Sequence, residues 1–379
     1  MDYFLSEEQK LLKEVVARFA KEELAPVARE NQEKRLFPAE VIKKAGELGL
    51  MGIAYPMEYG GSGMDYISYM IAIEEISRYC ASTGVIISAH SSLTIDPIFH
   101  FGTESQKHKY LPDLCTGVKI GCFALTEPGS GSDAGAAKTT AKLVGDKWVL
   151  NGTKHFITNG AEAETCVVIA LTDPSLKTKG LSAFIVERGT PGFSVGKHEH
   201  KLGINSTSTT ELVFEECAIP AENLLGELNK GFKIAMTTLD GGRLGIAAQA
   251  LGIAKASIED SIKFSKEREQ FNQAICNFQA IQWMIAEMWT EYEASWLLTY
   301  RASLMKDQGL NYSREAAMAK LKASETASCC AAHAIQIHGG YGYTKEFDVE
   351  RYLRDAKITE IYEGTNEIMR MIIATSLVK

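Results

Sequence analysis

The chain has 379 residues, 45% apolar and 23% charged, with a formal net charge of −8. That length exceeds what one hydrophobic core usually serves, so two or three domains are expected, and an acidic balance without any basic tract argues against a nucleic-acid partner. The amino end, Met1-Asp2-Tyr3-Phe4-Leu5-Ser6-Glu7-Glu8, is acidic where a secretory signal is basic, and no apolar run reaches bilayer length, so a soluble cytoplasmic protein with no membrane partner is expected.

From Ser6 to about residue 115 the pattern is helical. Ser6 and Gln9 form a capping box, and Leu12, Val15, Val16 and Phe19 recur at helical spacing. Pro26, Pro38, Pro56 and the run Tyr59-Gly60-Gly61-Ser62-Gly63 divide this part into several helices, two of them apolar, over about 66–78 and 85–93. His90 on the second reads as a satisfied core histidine, with a pocket-lining role as the alternative. Near Gly117 the period becomes alternating, and segments 118–125, 139–144 with 148–150, 165–171, 181–186 and 209–214 read as short antiparallel strands. After Gly226 four long amphipathic segments (232–267, 279–307, 313–336 and 365–377) have the lengths and short connections of a four-helix bundle. The expected architecture is therefore α+β in three parts: a helical domain over 1–116, an antiparallel β-barrel-like domain over 117–226, and a helix bundle over 227–379.

Eight cysteines without a C-x-x-C pair exclude a zinc ribbon and a small disulfide scaffold, and most are expected to be buried free thiols. Cys329 and Cys330 point in different directions from one helix and read as structural. His198 and His200 share a strand face, but with no further ligand nearby no metal is assigned.

Glu363, in Ile361-Tyr362-Glu363-Gly364-Thr365-Asn366-Glu367-Ile368, stands among apolar, aromatic and glycine neighbours. Such a setting raises a carboxyl pKa toward the range of a general base, whereas the plain alternative is a loop residue before a helix capped by Thr365. Three glycine-rich loops accompany it. Leu125-Thr126-Glu127-Pro128-Gly129-Ser130-Gly131-Ser132-Asp133 offers backbone N–H groups to an anion or polar ring edge, but lacks the G-x-G-x-x-G spacing and the P-loop lysine. Lys154-His155-Phe156-Ile157-Thr158-Asn159-Gly160 sets an aromatic and a hydroxyl two apart, hence on one strand face, as a flat heterocycle or simply a β core would use them. Gln336-Ile337-His338-Gly339-Gly340-Tyr341-Gly342 ends a helix with more glycines than capping needs, suggesting a close approach to the backbone.

Taken in order, Thr126-Glu127-Pro128-Gly129-x-Gly131-Ser132-Asp133, Phe156 to Gly160, Asp240-Gly241-Gly242-Arg243, Arg268-Glu269-Gln270-Phe271, Gln336-x-x-Gly339-Gly340 and Ile361 to Thr365 resemble the acyl-CoA dehydrogenase family over the whole chain, the short-chain, butyryl-CoA-like branch most of all. The resemblance implies FAD-dependent α,β-dehydrogenation of an acyl-CoA to the trans-2-enoyl-CoA, with Glu363 as base and the backbone N–H of Glu363 holding the thioester carbonyl. It implies contacts to the flavin ring from Phe123, Leu125, Thr126, Phe156 and Thr158. Arg268, Phe271, Gln279, Gln336, Gly339 and Gly340 are implied for the FAD pyrophosphate and adenine across a subunit boundary, and Thr365 and Glu367 for the second half of FAD. Substrate contacts are implied for Ser132, Asp240, Arg243 and Gly364. Asp240 and Arg243, three apart on a helix, read otherwise as a plain intrahelical ion pair. The resemblance further implies a homotetramer built as a dimer of dimers and an electron-transferring flavoprotein as partner.

Phe156 stands where many relatives carry tryptophan, which keeps an aromatic against the flavin. Asp96, before Pro97, reads first as a helix-end or turn residue, and second as a group facing the acyl pocket. Gly84 stands where glutaryl-CoA enzymes carry an arginine, so a dicarboxylic substrate is not expected. Rival readings are a dehydrogenase of a branched or cyclic acyl-CoA, an acyl-CoA oxidase, whose usual chain is longer, and a non-catalytic helical partner subunit.

Overall fold

The computed structural model describes residues 4–378, so Met1, Asp2 and Tyr3 of the amino-terminal stretch lie outside the described residues. Helix α1 (Glu7–Phe19) begins where expected: Ser6 Oγ accepts from Gln9 N at 3.2 Å and Gln9 Oε1 accepts from Ser6 N at 3.0 Å. A π-helical turn leads into α2 (Ala25–Lys34), and α3 (Ala39–Glu47) follows Pro38. At the centre of this part lies α4 (Tyr66–Tyr79), buried from Tyr66 to Ser77, the condition of a helix apolar all round. The second apolar helix starts earlier than the sequence suggests, as α5 (Ala81–Ser88), and widens to a π-helix over Ala89–Ile95 before α6 (Asp96–Phe101); α7 (Glu104–Cys115) closes the amino-terminal part. Asp96 is therefore not a turn residue. It stands in continuous helical backbone, buried, with its carboxylate 2.8 Å from Lys306 Nζ.

Strands β1 (Gly121–Ala124), β2 (Thr140–Val144), β3 (Lys147–Thr158), β4 (Thr165–Leu171), β5 (Leu181–Glu187), β6 (Phe193–His198), β7 (Thr209–Pro220) and β8 (Leu224–Leu225) form one sheet in the order β6-β7-β3-β2-β4-β5-β8, with β1 also against β4. The sheet is mixed rather than purely antiparallel, because β1 runs parallel to β4. Edge strand β6 was not foreseen; its residues are mostly half-buried or exposed, so the alternation that marks a strand is weak.

Three long helices follow, α8 (Gly231–Glu267), α9 (Gln279–Asp307) and α10 (Ser313–His338), with a two-strand hairpin, β9 (Glu269–Gln270) and β10 (Gln273–Ala274), between the first two. Between α10 and the terminal helix α12 (Asn366–Val378) stands α11 (Val349–Thr359), which the sequence pattern hides. Its buried face carries Arg351 and Asp355 beside Val349, Tyr352 and Ala356, and two charges on an inner face erase the apolar period. Glycines on α8 bring helices close. A Cβ on Gly245 would stand 2.1 Å from Ser88 Oγ and 2.5 Å from Tyr69 OH, so α4 and α5 pack almost onto its backbone.

Candidate active site

Helix α11 ends at Thr359, and the chain reaches α12 through a turn in which Glu363 (φ 54°) and Gly364 (φ 98°) are both left-handed. A glutamate in that region is uncommon and carries a backbone cost of roughly 1–3 kcal/mol, found mostly where a side chain must be aimed. Tyr362 anchors the turn in the core, its hydroxyl bonded to Gln249. Glu363 is thereby turned onto α8, where only glycine fits: a Cβ on Gly242 would lie 2.1 Å from Glu363 Oε2 and 2.7 Å from Leu93 Cδ2. As a residue Glu363 is half-buried, yet its Oε2 is sealed from water and has no hydrogen-bond partner among the described residues. Burial pushes its carboxyl up to about 8, against the nearby charges of Arg243 and Lys320.

The supports of this carboxylate come from two helices. On α8, Arg243 is buried and ion-paired with Asp240, as their spacing allows, and its Nε lies 3.5 Å from the Glu363 carbonyl; Asp240 also accepts from Ser313 Oγ at 3.0 Å. On α10, Lys320 Nζ donates to the Gly364 carbonyl at 2.8 Å and to Asn366 Oδ1 at 3.1 Å. Thr365 caps α12 weakly, its Oγ1 3.4 Å from Ile368 N, and Glu367 is exposed.

A second group of expected residues gathers around the end of β1. Phe123 and Leu125 are buried and Thr126 half-buried. The following loop is held from beneath by Glu127, which accepts from Lys138 N at 2.6 Å, Thr139 N at 2.9 Å and the fully buried Lys154 Nζ at 2.8 Å. Lys154 Nζ also donates to the Leu125 carbonyl at 3.0 Å. Above this anchor Gly129, Gly131 and Ser132 are exposed, and a Cβ on either glycine would meet nothing within 4 Å, so the outer backbone is open to a ligand. His155 N donates to the Thr126 carbonyl at 2.8 Å and so brings Phe156 and Thr158 to the same place. The same-face argument for that pair does not survive, because β3 bulges between Lys154 and Ile157 and Phe156 has φ 58°. The bulge turns the Phe156 ring outward, leaving it 59% exposed.

A third group lies elsewhere. Arg268, Phe271, Gln279, Gln336, Gly339 and Gly340 are all exposed, and Arg268 lies 5.5 Å from the Tyr341 ring centre. Phe271, 88% exposed, occupies the tip of the β9–β10 hairpin. Apart from their chain neighbours, none of the described residues comes within 4 Å of a Cβ built on Gly339 or Gly340, so the close approach inferred there is not made by these residues. The 25 residues of helix between Arg243 and Arg268 span about 37 Å. One chain therefore does not bring this group to Glu363.

His90 is a satisfied core histidine, with Nε2 2.9 Å from the Leu114 carbonyl and Nδ1 accepting from Gly121 N at 2.9 Å. Sequence reasoning missed Lys320, Lys154 and Glu127. A lysine repeating with Ala316, Ala319, Ala323 and Ala327 on the inner stripe of α10 was the available signal for the first.

The chain thus joins a helical part, a mixed sheet and a second helical part, with the Glu363 carboxylate turned onto the long helix α8. Family models for the N-terminal, middle and C-terminal domains of acyl-CoA dehydrogenase match residues 6–118, 122–217 and 229–378. The short-chain-specific acyl-CoA dehydrogenase of Clostridium acetobutylicum is 52% identical over 374 residues, covering 99% of both chains. Among solved structures, butyryl-CoA dehydrogenase from Megasphaera elsdenii matches with a TM-score of 0.98 at 46% identity, over 100% of both chains. A chain from work on the electron transferring flavoprotein of Acidaminococcus fermentans matches with a TM-score of 0.99 at 51% identity, again over 100% of both. The chain belongs to the acyl-CoA dehydrogenase family of FAD-dependent oxidoreductases.

Proposed function

We propose that the chain dehydrogenates short-chain acyl-CoA of butyryl size to the trans-2-enoyl-CoA, with Glu363 as base, FAD as cofactor and an electron-transferring flavoprotein as electron acceptor. The observation that carries this reading is the sealed, partnerless Glu363 Oε2. A carboxylate oxygen denied both water and hydrogen bonds keeps its basicity for the weakly acidic proton beside a thioester. The residues fit FAD: an aromatic held outward at positive φ, and an open glycine loop over a buried Lys154–Glu127 anchor, suit a flat ring with polar edges. When bound, FAD supplies the hydride acceptor for the β-carbon. Glu363 takes the α-proton, its backbone N–H holds the thioester oxygen, and Asp240, Arg243, Gly364 and Ser132 hold the CoA portion.

A short acyl limit follows from α8. Gly245 lies about 4.5 Å along the helix from Gly242. Tyr69 and Ser88 already pack against it, so little length is left beyond the reacting carbons. A homotetramer fits the third group, which would reach a neighbouring subunit's FAD, and the free thiols of all eight cysteines fit a cytoplasmic setting. Asp96 is ion-paired with Lys306, which weighs against its recognising a polar or cyclic acyl group.

The test is anaerobic reduction of the bound flavin by butyryl-CoA in Glu363→Gln. FAD content should match wild type while reduction falls by at least the ~10²–10⁴-fold of a lost general base. Reduction near the wild-type rate would overturn the assignment.

A further inference from the structure

Lys320 is fully buried on α10, on the stripe otherwise formed by Ala316, Ala319, Ala323 and Ala327. Burying an ammonium is costly unless it is well bonded, and methionine or leucine would fill the space without that cost. Among the described residues Lys320 has no carboxylate at ion-pair distance; its bonds go to neutral oxygens, the Gly364 carbonyl and Asn366 Oδ1. The second acceptor is itself fixed, since Ser324 Oγ donates to the same Asn366 Oδ1 at 3.0 Å. Both acceptors belong to the segment that follows Glu363, and Gly364 is, after Glu363 itself, the second left-handed residue of the turn.

We propose that Lys320 is the positioning residue of the base: it clamps the left-handed turn from α10 so that Glu363 is aimed at α8, and it keeps a positive charge behind the carboxylate. This rests on Glu363 being the base. Groups facing Glu363 are Arg243 from α8, Tyr69 from α4, Tyr362 from its own turn and Lys320 from α10, with Leu93 as an apolar wall; Glu360 and Glu367 add negative charge near Lys320. Burial lowers the Lys320 ammonium itself to about 8, and while it is charged it opposes the upward push of burial on the Glu363 carboxyl. Removing its charge leaves burial less opposed, so the carboxyl takes up its proton at higher pH and less base is ionised at a given pH.

FAD-loaded wild type, Lys320→Met and Lys320→Gln are compared by two readouts. The first is the protonation of Glu363 without substrate, read by infrared difference against the same protein carrying Glu363→Gln. The second is the pH profile of flavin reduction by butyryl-CoA. Expected in both variants is a shift of the carboxyl titration and of the acid limb of the profile upward by about one pH unit or more, hence about tenfold slower reduction on that limb. Butyryl-CoA affinity should change little. Gln keeps two N–H donors without the charge, so it loads where Met fails to fold and should show the same shift with a smaller loss of rate above the limb. A loaded variant whose carboxyl titration and acid limb coincide with wild type overturns the proposal. If Glu363→Gln itself reduces flavin normally, the base assignment fails separately, while the infrared titration still decides whether Lys320 governs the Glu363 proton.

Discussion

The Cβ that Gly242 lacks would stand 2.1 Å from Oε2 of Glu363. A helix interior ordinarily favours alanine over glycine by about 1 kcal/mol. Gly242→Ala should therefore separate stability from function: melting temperature stays or rises slightly, because the displaced atoms are side-chain ends of Glu363 and Leu93. Flavin reduction by butyryl-CoA should fall about 10²-fold from a misplaced base. Thermal melts beside stopped-flow reduction check it, and an alanine variant at wild-type rate would show that Glu363 does not act from this position.

Titration of Glu363 should show in stability as well as rate. Its carboxyl is raised from an ordinary value of 4.5 to about 8 by burial, so the folded state holds a proton that the unfolded chain has released. Its contribution to stability is thus lost as pH rises from about 4.5 toward 8. Glu363→Gln should melt higher than wild type above pH 8, and the gap should close as pH falls toward 5. Wild-type kcat/KM should climb with pH up to about 8, as the base ionises. Melting curves across pH decide the first point, and a gap that widens toward acid would contradict it.

Much of this was legible before any coordinates. The Ser6–Gln9 cap, the strand at 165–171 and the helices at 279–307 and 313–336 follow from local chemistry that tertiary contacts do not override. Helix α11 was hidden because Arg351 and Asp355 sit on its inner face, and their partners, Asp348, Gln32 and the Ile204 N–H, include distant residues that no window of sequence contains. Glu363 could be singled out by its apolar neighbours. Its aim could not, because the φ of one residue and the absence of a Cβ at Gly242, 121 positions away, are tertiary facts. Phe156 shows the reverse: the residue was flagged, but a bulge undid the alternation used to orient it.

Phe271, 88% exposed at the hairpin tip beside an exposed Arg268, is an aromatic without cover in one chain. If a neighbouring subunit and its FAD cover it, Phe271→Asp should shift the protein from tetramer toward smaller species and lower its FAD content together. Light scattering and the flavin absorbance of the same sample give both numbers. A tetramer with full flavin in this variant would remove Phe271 from that interface.

Lys154 and Glu127 make the last case, since they touch neither Glu363 nor the open side of the glycine loop. The pair is buried, with Lys154 fully enclosed, and its contacts to Leu125, Lys138 and Thr139 fix both ends of that loop. Breaking such a pair from one side leaves a charge without a partner and costs about 3–5 kcal/mol, whereas replacing both partners by apolar groups is often close to neutral. Glu127→Leu should thus lower the melting temperature sharply and lose FAD, and adding Lys154→Met should recover part of the melting temperature. Flavin should not return with it, because the Leu125 carbonyl and the Lys138 and Thr139 N–H groups stay without partners and the loop is no longer held. Melting temperature and flavin absorbance of the two variants test this, and a double variant that regains both would mean that the ion pair serves stability alone.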